Sequence, residues 1–338
     1  MVSSISSHLA AALQARAELL TALHSESTTA YRLLHGSAEG VPGLVVDRYG
    51  AALLVQSFHR SLDPAELADV QAFYASAFPD LQVVYNDRSQ ANSRIGNPLD
   101  DADLRQAQTA IAFQELGVHY RYAARHGGQD PWLFLDLRAG RRRVMREAQG
   151  RTVLNMFAYT CGIGVAAAVA GASEVVNVDF AASGLRVGQD NAHQNGIRQG
   201  ISFVQCDAFA ALRQYAGLGQ PEVVRGKRLP RFPKLAPRTF DLVILDPPRL
   251  AKSPFGVVDL VLDYAAIFKP AVLATAEGGA LLCTNNSAQV DRAVWGDQLE
   301  RCAKKAGRPI QDMQWLEPEA DFPSPDGKFP LKMAWVRV

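Results

Sequence analysis

The chain has 338 residues, with 35 Lys and Arg against 34 Asp and Glu, a formal net charge of +1. That length favours two or three domains, and a hydrophobic fraction of 48% is enough for full-sized cores. Bulk charge does not announce a polyanion binder, the four scattered cysteines make neither a disulfide framework nor a zinc site, and no run reaches the roughly 20 apolar residues of a membrane span. Seven histidines without ligand spacing imply no metal, and the thiols are expected to be reduced in a cytoplasmic protein.

In chain order, residues 6–23 have helical spacing and read as an amphipathic helix, not a secretory signal. Tyr31 to Ser57 reads as short strands around Gly36, Gly40, Pro42 and Gly43, and Pro64 to Phe78 as one helix with Pro64 in its first turn. Leu81 to Tyr85 is a strand, Asn86 to Asp103 a polar loop, and Ile111 to Tyr122 a hairpin through Glu115-Leu116-Gly117. From Trp132 strands alternate with helices, which predicts a parallel sheet. Strands are expected at 152–157, 174–179, 201–205, 240–246 and 278–284, and helices at 163–171, 181–195, 207–216, 258–275 and 291–306. With a terminal strand pair in Gln311 to Val338, the fold class is α/β: a Rossmann-like, doubly wound sheet with one antiparallel strand, preceded by a small α+β domain. The expected domains are an N-terminal helix at 1–27, a small recognition domain at 28–128 and a sheet domain at 129–338.

Chemistry concentrates where the expected strands end. Val153 to Phe157 runs into Ala158-Tyr159-Thr160-Cys161-Gly162-Ile163-Gly164, and Glu174 to Val178 ends on Asp179. A Gly-containing loop that opens a helix brings amides and a positive dipole end to a ligand. Ala158 and Thr160 stand where dinucleotide enzymes carry glycine, so a pyrophosphate fits poorly and a ligand without phosphates, such as S-adenosylmethionine, fits better. Asp179 is placed to accept both ribose hydroxyls, and Asp207 to meet an adenine amino group. Asp246-Pro247-Pro248 ends another strand, where two prolines stiffen a loop beside a carboxylate. The plainer alternative is a set of turn glycines and strand-end acids.

Together, these stretches resemble the class I S-adenosylmethionine-dependent methyltransferases that modify bacterial 23S ribosomal RNA. The resemblance rests on Thr29 to Leu33, Gly43 to Tyr49, Leu133 to Arg138, Asn155 to Thr160, Val178-Asp179, Asn191 to Gly196 and Leu245 to Ser253, and runs from about residue 28 to the end. It implies cofactor contacts at Arg138, Phe157, Tyr159, Thr160, Gly162, Asp179, Phe180, Asp207 and Asp246, and a partner that is rRNA or the assembling large ribosomal subunit. Many relatives begin with a PUA domain, which this chain is expected to lack.

Relatives that methylate cytosine C5 add a cysteine to the ring first. Their cysteine position corresponds to Asn286, and Cys283 lies three residues earlier, about 10 Å away at strand rise. Cys283 therefore reads as a core residue, and Asn285-Asn286 resembles the branch that forms 7-methylguanine, whose N7 lone pair needs orientation only. The expected catalytic set is Asp246, Pro247, Pro248, Asn285 and Asn286, with the Asn pair alternatively a stabilised turn. Phosphate contacts are expected from Arg141 and Arg142 in the cluster 138–146, from Arg228 and Arg231 in the basic stretch 225–238, and from Lys252. Cytosine-C5 methylation, methylation of a protein or small molecule, a non-catalytic assembly factor and a dehydrogenase remain as other readings.

Overall fold

A computed structural model describes residues 5–338 except 91–98, 129, 220–222, 225–226, 254–255, 260 and 262. The chain packs as two units, Met1–Asp136 with Pro318–Lys328, and Leu137–Glu317 with Phe329–Val338. The first unit's main segment ends at Asp136, eight residues after the 128/129 division read from the sequence.

The first unit begins with two helices, α1 (Ile5–Ala15) and α2 (Ala17–Ser25), where one was expected. Its sheet contains β1 (Ala30–His35), β2 (Leu44–Tyr49), β3 (Ala52–Ser57) and β4 (Gln82–Asp87) in that order. The β3–β4 pair is parallel, with α3 (Pro64–Ala77) as the crossover. Helix α3 starts where Asp63 and Glu66 form a reciprocal capping box and Pro64 presets the first turn. Helix α4 (Asp101–Gln108) follows, with Asp100 as its cap, and its first three residues overlap the end of the stretch expected to be loop; the part of that stretch at 91–98 lies outside the described residues. Strands β5 (Ile111–Glu115) and β6 (Val118–Tyr122) form the expected hairpin, whose Leu116 and Gly117 both take positive φ, as a tight primed turn requires.

The segment Pro318–Lys328 joins this unit through charge. Asp321 Oδ2 accepts the Arg32 amide at 3.0 Å, and the Asp321 carbonyl accepts from Arg16 at 3.1 Å. Arg32 forks onto Asp47 at 2.8 and 2.9 Å and lies 4.6 Å over the Phe322 ring. The motifs Thr29 to Leu33 and Gly43 to Tyr49 thus build a buried ion-pair core, which a lone mismatch would leave uncompensated.

The second unit contains α5 (Arg138–Glu147), β7 (Thr152–Met156), α6 (Gly162–Val169), β8 (Glu174–Asp179), α7 (Ala182–Gln194), β9 (Ile201–Gln205) and α8 (Ala208–Tyr215). A short ladder pairs β10 (Val223–Val224), just before the basic stretch 225–238, with β11 (Lys227–Arg228) inside it. Then come β12 (Phe240–Leu245), the hairpin β13 (Leu250–Ser253) with β14 (Gly256–Asp259), α9 (Ala265–Leu273), β15 (Thr275–Asn285), α10 (Arg292–Lys305), β16 (Asp312–Leu316) and β17 (Lys332–Arg337). The expected helix 258–275 is shorter, because its first residues belong to β14 and to positions partly outside the described residues.

Seven strands order as β16-β17-β15-β12-β7-β8-β9, and β17 runs against the direction of the other six. Both faces are covered. Leu154, Met156, Val243, Leu245, Leu281 and Cys283 pack with α8, α9 and α10, while Val153, Leu242, Ile244 and Leu282 pack with α5 and α6. This two-sided burial explains the near-continuous apolar strands. Among the described residues, no helix is long and apolar enough to cross a membrane.

Candidate active site at the carboxyl edge of the sheet

Strand order reverses between β7 and β12, and open α/β sheets bind ligands beyond the carboxyl ends at such a reversal. The register brings the expected site residues to that edge. Met156 pairs with Leu245 and Val178, and Leu245 with Cys283. Phe157, Asp179, Asp246 and Thr284 therefore emerge side by side, one residue further on.

The loop after β7 is held in a conformation that few side chains adopt. Phe157, Tyr159 and Cys161 have φ of +55°, +50° and +60°, each costing about 1–3 kcal/mol. Three kinds of contact hold it. The Tyr159 amide donates to Asp179 Oδ2 at 2.8 Å, the Ala158 amide donates to the Val178 carbonyl at 3.0 Å, and Asn191 Nδ2 reaches the Thr160 carbonyl at 3.4 Å. From the other side α7 presses glycines against the loop. A methyl at Gly184 would lie 2.6 Å from the Tyr159 carbonyl oxygen, and one at Gly188 would lie 2.4 Å from Cys161 Sγ. Within α6, a methyl on Gly164 would meet Asn177 Oδ1 at 1.9 Å, where that oxygen accepts Asn155 Nδ2.

Gly184→Ala is accordingly expected to shift the loop backbone. It should cost about 1–3 kcal/mol in chemical denaturation, and S-adenosylmethionine affinity measured by calorimetry should fall with it. Unchanged affinity and stability would show that the loop tolerates the displacement.

Asp179 is 8% exposed. Its Oδ1 accepts the Ala181 amide at 2.8 Å, so each oxygen holds one amide and keeps acceptor capacity. Burial holds its carboxyl above the ordinary aspartate range, against the opposing pull of those amides. A poorly solvated carboxylate gains from further hydroxyl donors. Beside it, Phe180 is 74% exposed. Asp207 caps α8 by accepting the Ala210 amide at 3.1 Å. Asp246 Oδ1 accepts from the Thr284 hydroxyl, which fixes its orientation; Pro247 is buried and Pro248 exposed.

Other expected positions separate. Asn285 is fully buried and its Oδ1 accepts the Ser287 amide at 3.0 Å, the turn geometry weighed above, whereas Asn286 is exposed. Thr160 and Gly162 are buried, and Phe157 and Tyr159 are half-buried. Arg138 and Arg141 are 0% and 1% exposed. Burial takes Arg141 away from the surface on which it was expected to meet phosphates, while Arg142 is half-buried. Arg228 and Arg231 are exposed, but Arg238 of the same stretch is held by Glu174 at 2.6 Å. Arg225 and the Lys252 side chain lie outside the described residues. Sequence reasoning missed Gly184, Gly188, Thr284 and Lys332. Two glycines four apart inside an expected helix, each about 1 kcal/mol worse than alanine, were a legible sign of close packing.

Comparison with known proteins places the chain in a family. A family model described as S-adenosylmethionine-dependent methyltransferase matches residues 52–337. A "Ribosomal RNA large subunit methyltransferase" of Deinococcus radiodurans is 31% identical over 306 residues, covering 89% of this chain and 70% of that protein. A "Ribosomal RNA large subunit methyltransferase I" of Aeromonas hydrophila is 29% identical over 324 residues, covering 93% and 76%. Among solved structures, one described as a methyltransferase complexed with SAH superposes with a TM-score of 0.77 at 22% identity, covering 100% of this chain and 83% of that one.

Proposed function

The chain belongs to the S-adenosylmethionine-dependent methyltransferases, and from that premise we propose that its acceptor is a base of large-subunit ribosomal RNA, with guanine N7 the methylated atom. The names of the relatives and the exposed Arg228 and Arg231 support an RNA acceptor. That reading also puts the enzyme in the cytoplasm with the assembling subunit.

The buried Cys283 carries the choice of atom. It has no exposed surface, packs on the α9–α10 face of the sheet, and burial pushes its thiol up to about 12. Methylation at cytosine C5 needs a thiolate at the edge, and this thiol is both protonated at neutral pH and one residue inside it. A ring nitrogen with its own lone pair needs neither nucleophile nor base.

When bound, the donor supplies an electrophilic methyl group. Asp179 would accept the two ribose hydroxyls, with Phe180 beside the adenine and Asp207 near its amino group. Phe157, Tyr159, Thr160 and Gly162 would line the loop under the methionine part, and Arg138 and Asp246 would border it. Asp246, Pro247 and Pro248 would hold the base in line with the methyl, a catalysis by orientation. Asn286 is the exposed member of the Asn pair available to a base edge.

The test is methyl transfer from labelled S-adenosylmethionine to unmodified large-subunit rRNA, with the product nucleoside identified by mass spectrometry. The expected product is 7-methylguanosine, and Cys283→Ala should transfer methyl at no less than half the parent rate. A 5-methylcytidine product, or a dead Cys283→Ala that still folds, would overturn the choice of atom.

A further inference from the structure

Beyond the donor loop, the carboxyl edge carries a second constructed feature, at the exit of β15. Between its two basic ends, strand β17 is apolar: Met333, Ala334, Trp335 and Val336 are buried. It begins with Lys332, which pairs in register with Asn285. Lys332 is only 9% exposed, and burial pulls its ammonium below the ordinary lysine range, with Asp291 opposing. Burying an ammonium is costly unless its donors are used. Two of them are: Nζ donates to the Ser287 carbonyl at 2.8 Å and to the Pro330 carbonyl at 3.1 Å. These carbonyls belong to the two chain segments that flank the β15–β17 pair at the active edge.

The turn so clamped runs from Asn285 to Ser287 and is closed internally by the Ser287 amide on Asn285 Oδ1. One residue before it, Thr284 holds Asp246. Lys332, the turn and the Asp-Pro-Pro corner are therefore linked through hydrogen bonds and one strand. The turn also retains polar capacity. Ser287 is 2% exposed and its hydroxyl has no hydrogen-bond partner among the described residues, and an ammonium has three donors where two are used here. A site that served only to end a strand would need neither group. An apolar residue at position 332 would continue the buried strand more cheaply.

We propose that Lys332 is a positioning residue for the acceptor base: by tying the Ser287 and Pro330 carbonyls together it fixes the turn that carries Asn286 to the edge beside Asp246. Ser287, buried on the same turn, adds a hydroxyl whose hydrogen-bonding capacity no described residue uses. This inference rests on the reading that the acceptor is an RNA base.

The experiment compares the parent, Lys332→Met, Lys332→Arg and Ser287→Ala in four measurements: S-adenosylmethionine affinity by calorimetry, KM for large-subunit rRNA, kcat, and thermal midpoint. Lys332→Met should leave donor affinity within about twofold and lower kcat about 10²-fold, the loss typical of a small misplacement. Lys332→Arg, which can still bridge two carbonyls, should recover at least a tenth of the parent kcat. Ser287→Ala, which removes an unpaired hydroxyl, should keep the thermal midpoint and raise KM for rRNA severalfold. If Lys332→Met fails to fold, Ser287→Ala and Lys332→Arg decide alone. Parent-like kcat and KM in every folded variant would overturn the proposal, as would loss of donor affinity in parallel with loss of turnover. A parent enzyme that moves no methyl to rRNA would overturn the acceptor reading itself, and the role of Lys332 with it.

Discussion

Replacing Asp179 with alanine is expected to weaken S-adenosylmethionine binding by about 10²–10⁴-fold. The range follows from two hydroxyl hydrogen bonds to a charged acceptor, each contributing about 1.5–3 kcal/mol. Two features of the structure favour the upper half. The carboxylate is buried, so water compensates little for a lost partner. It also holds the Tyr159 amide, so its removal loosens a loop with three left-handed residues. Asp179→Asn separates these contributions. It keeps one oxygen and the size of the side chain but loses the charge and turns an NH₂ toward one of the two amides. An intermediate loss, on the order of tenfold to a hundredfold, is expected in the same titration. Alanine and asparagine variants that bind the donor as tightly as the parent would remove Asp179 from the site.

The second large effect is expected at Asp246, and in a different quantity. Asp246→Ala should lower single-turnover methyl transfer to rRNA by about 10²–10³-fold, the loss seen when one preorganised polar group at a reacting centre is removed. Donor affinity should change by less than tenfold, because Asp179, the proposed ribose ligand, lies two strands away, at the end of β8. The orientation of Asp246 depends on Thr284. A variant that loses donor affinity and turnover together would make Asp246 a cofactor ligand first and an orienting group second.

The sequence was most legible where periodicity and burial agree. The strands of the second unit are apolar on both faces, so their runs stood out, and the loop with its acids followed from where those runs ended. The single antiparallel strand was legible because the tail offers two strands with no helix between them. Elements set by capping or by tertiary pairing were less visible. Helix α4 is specified by Asp100 and its two amide partners inside a polar stretch that looks like loop. The hairpin β13–β14 is short and follows two prolines, and its last two residues, Val258 and Asp259, read as the start of a helix. Within the site, Asp179 and Asp246 could be read because strand ends carry them to the edge. Arg141 could not be placed, since an arginine on a basic helix looks like a surface charge until packing buries it. The clamp by Lys332 joins residues 45 positions apart, a distance at which local pattern is silent.

Donor and acceptor are proposed to meet at the carboxyl edge, between the Asp179 carboxylate and the Asp246 corner. A crystal structure with bound S-adenosylhomocysteine tests it most directly. Both ribose hydroxyls should lie on the two oxygens of Asp179, with the sulfur directed toward Asp246 and Pro247. Product bound elsewhere, with no ribose hydroxyl on Asp179, would be the opposite result and would remove the edge as the site of transfer.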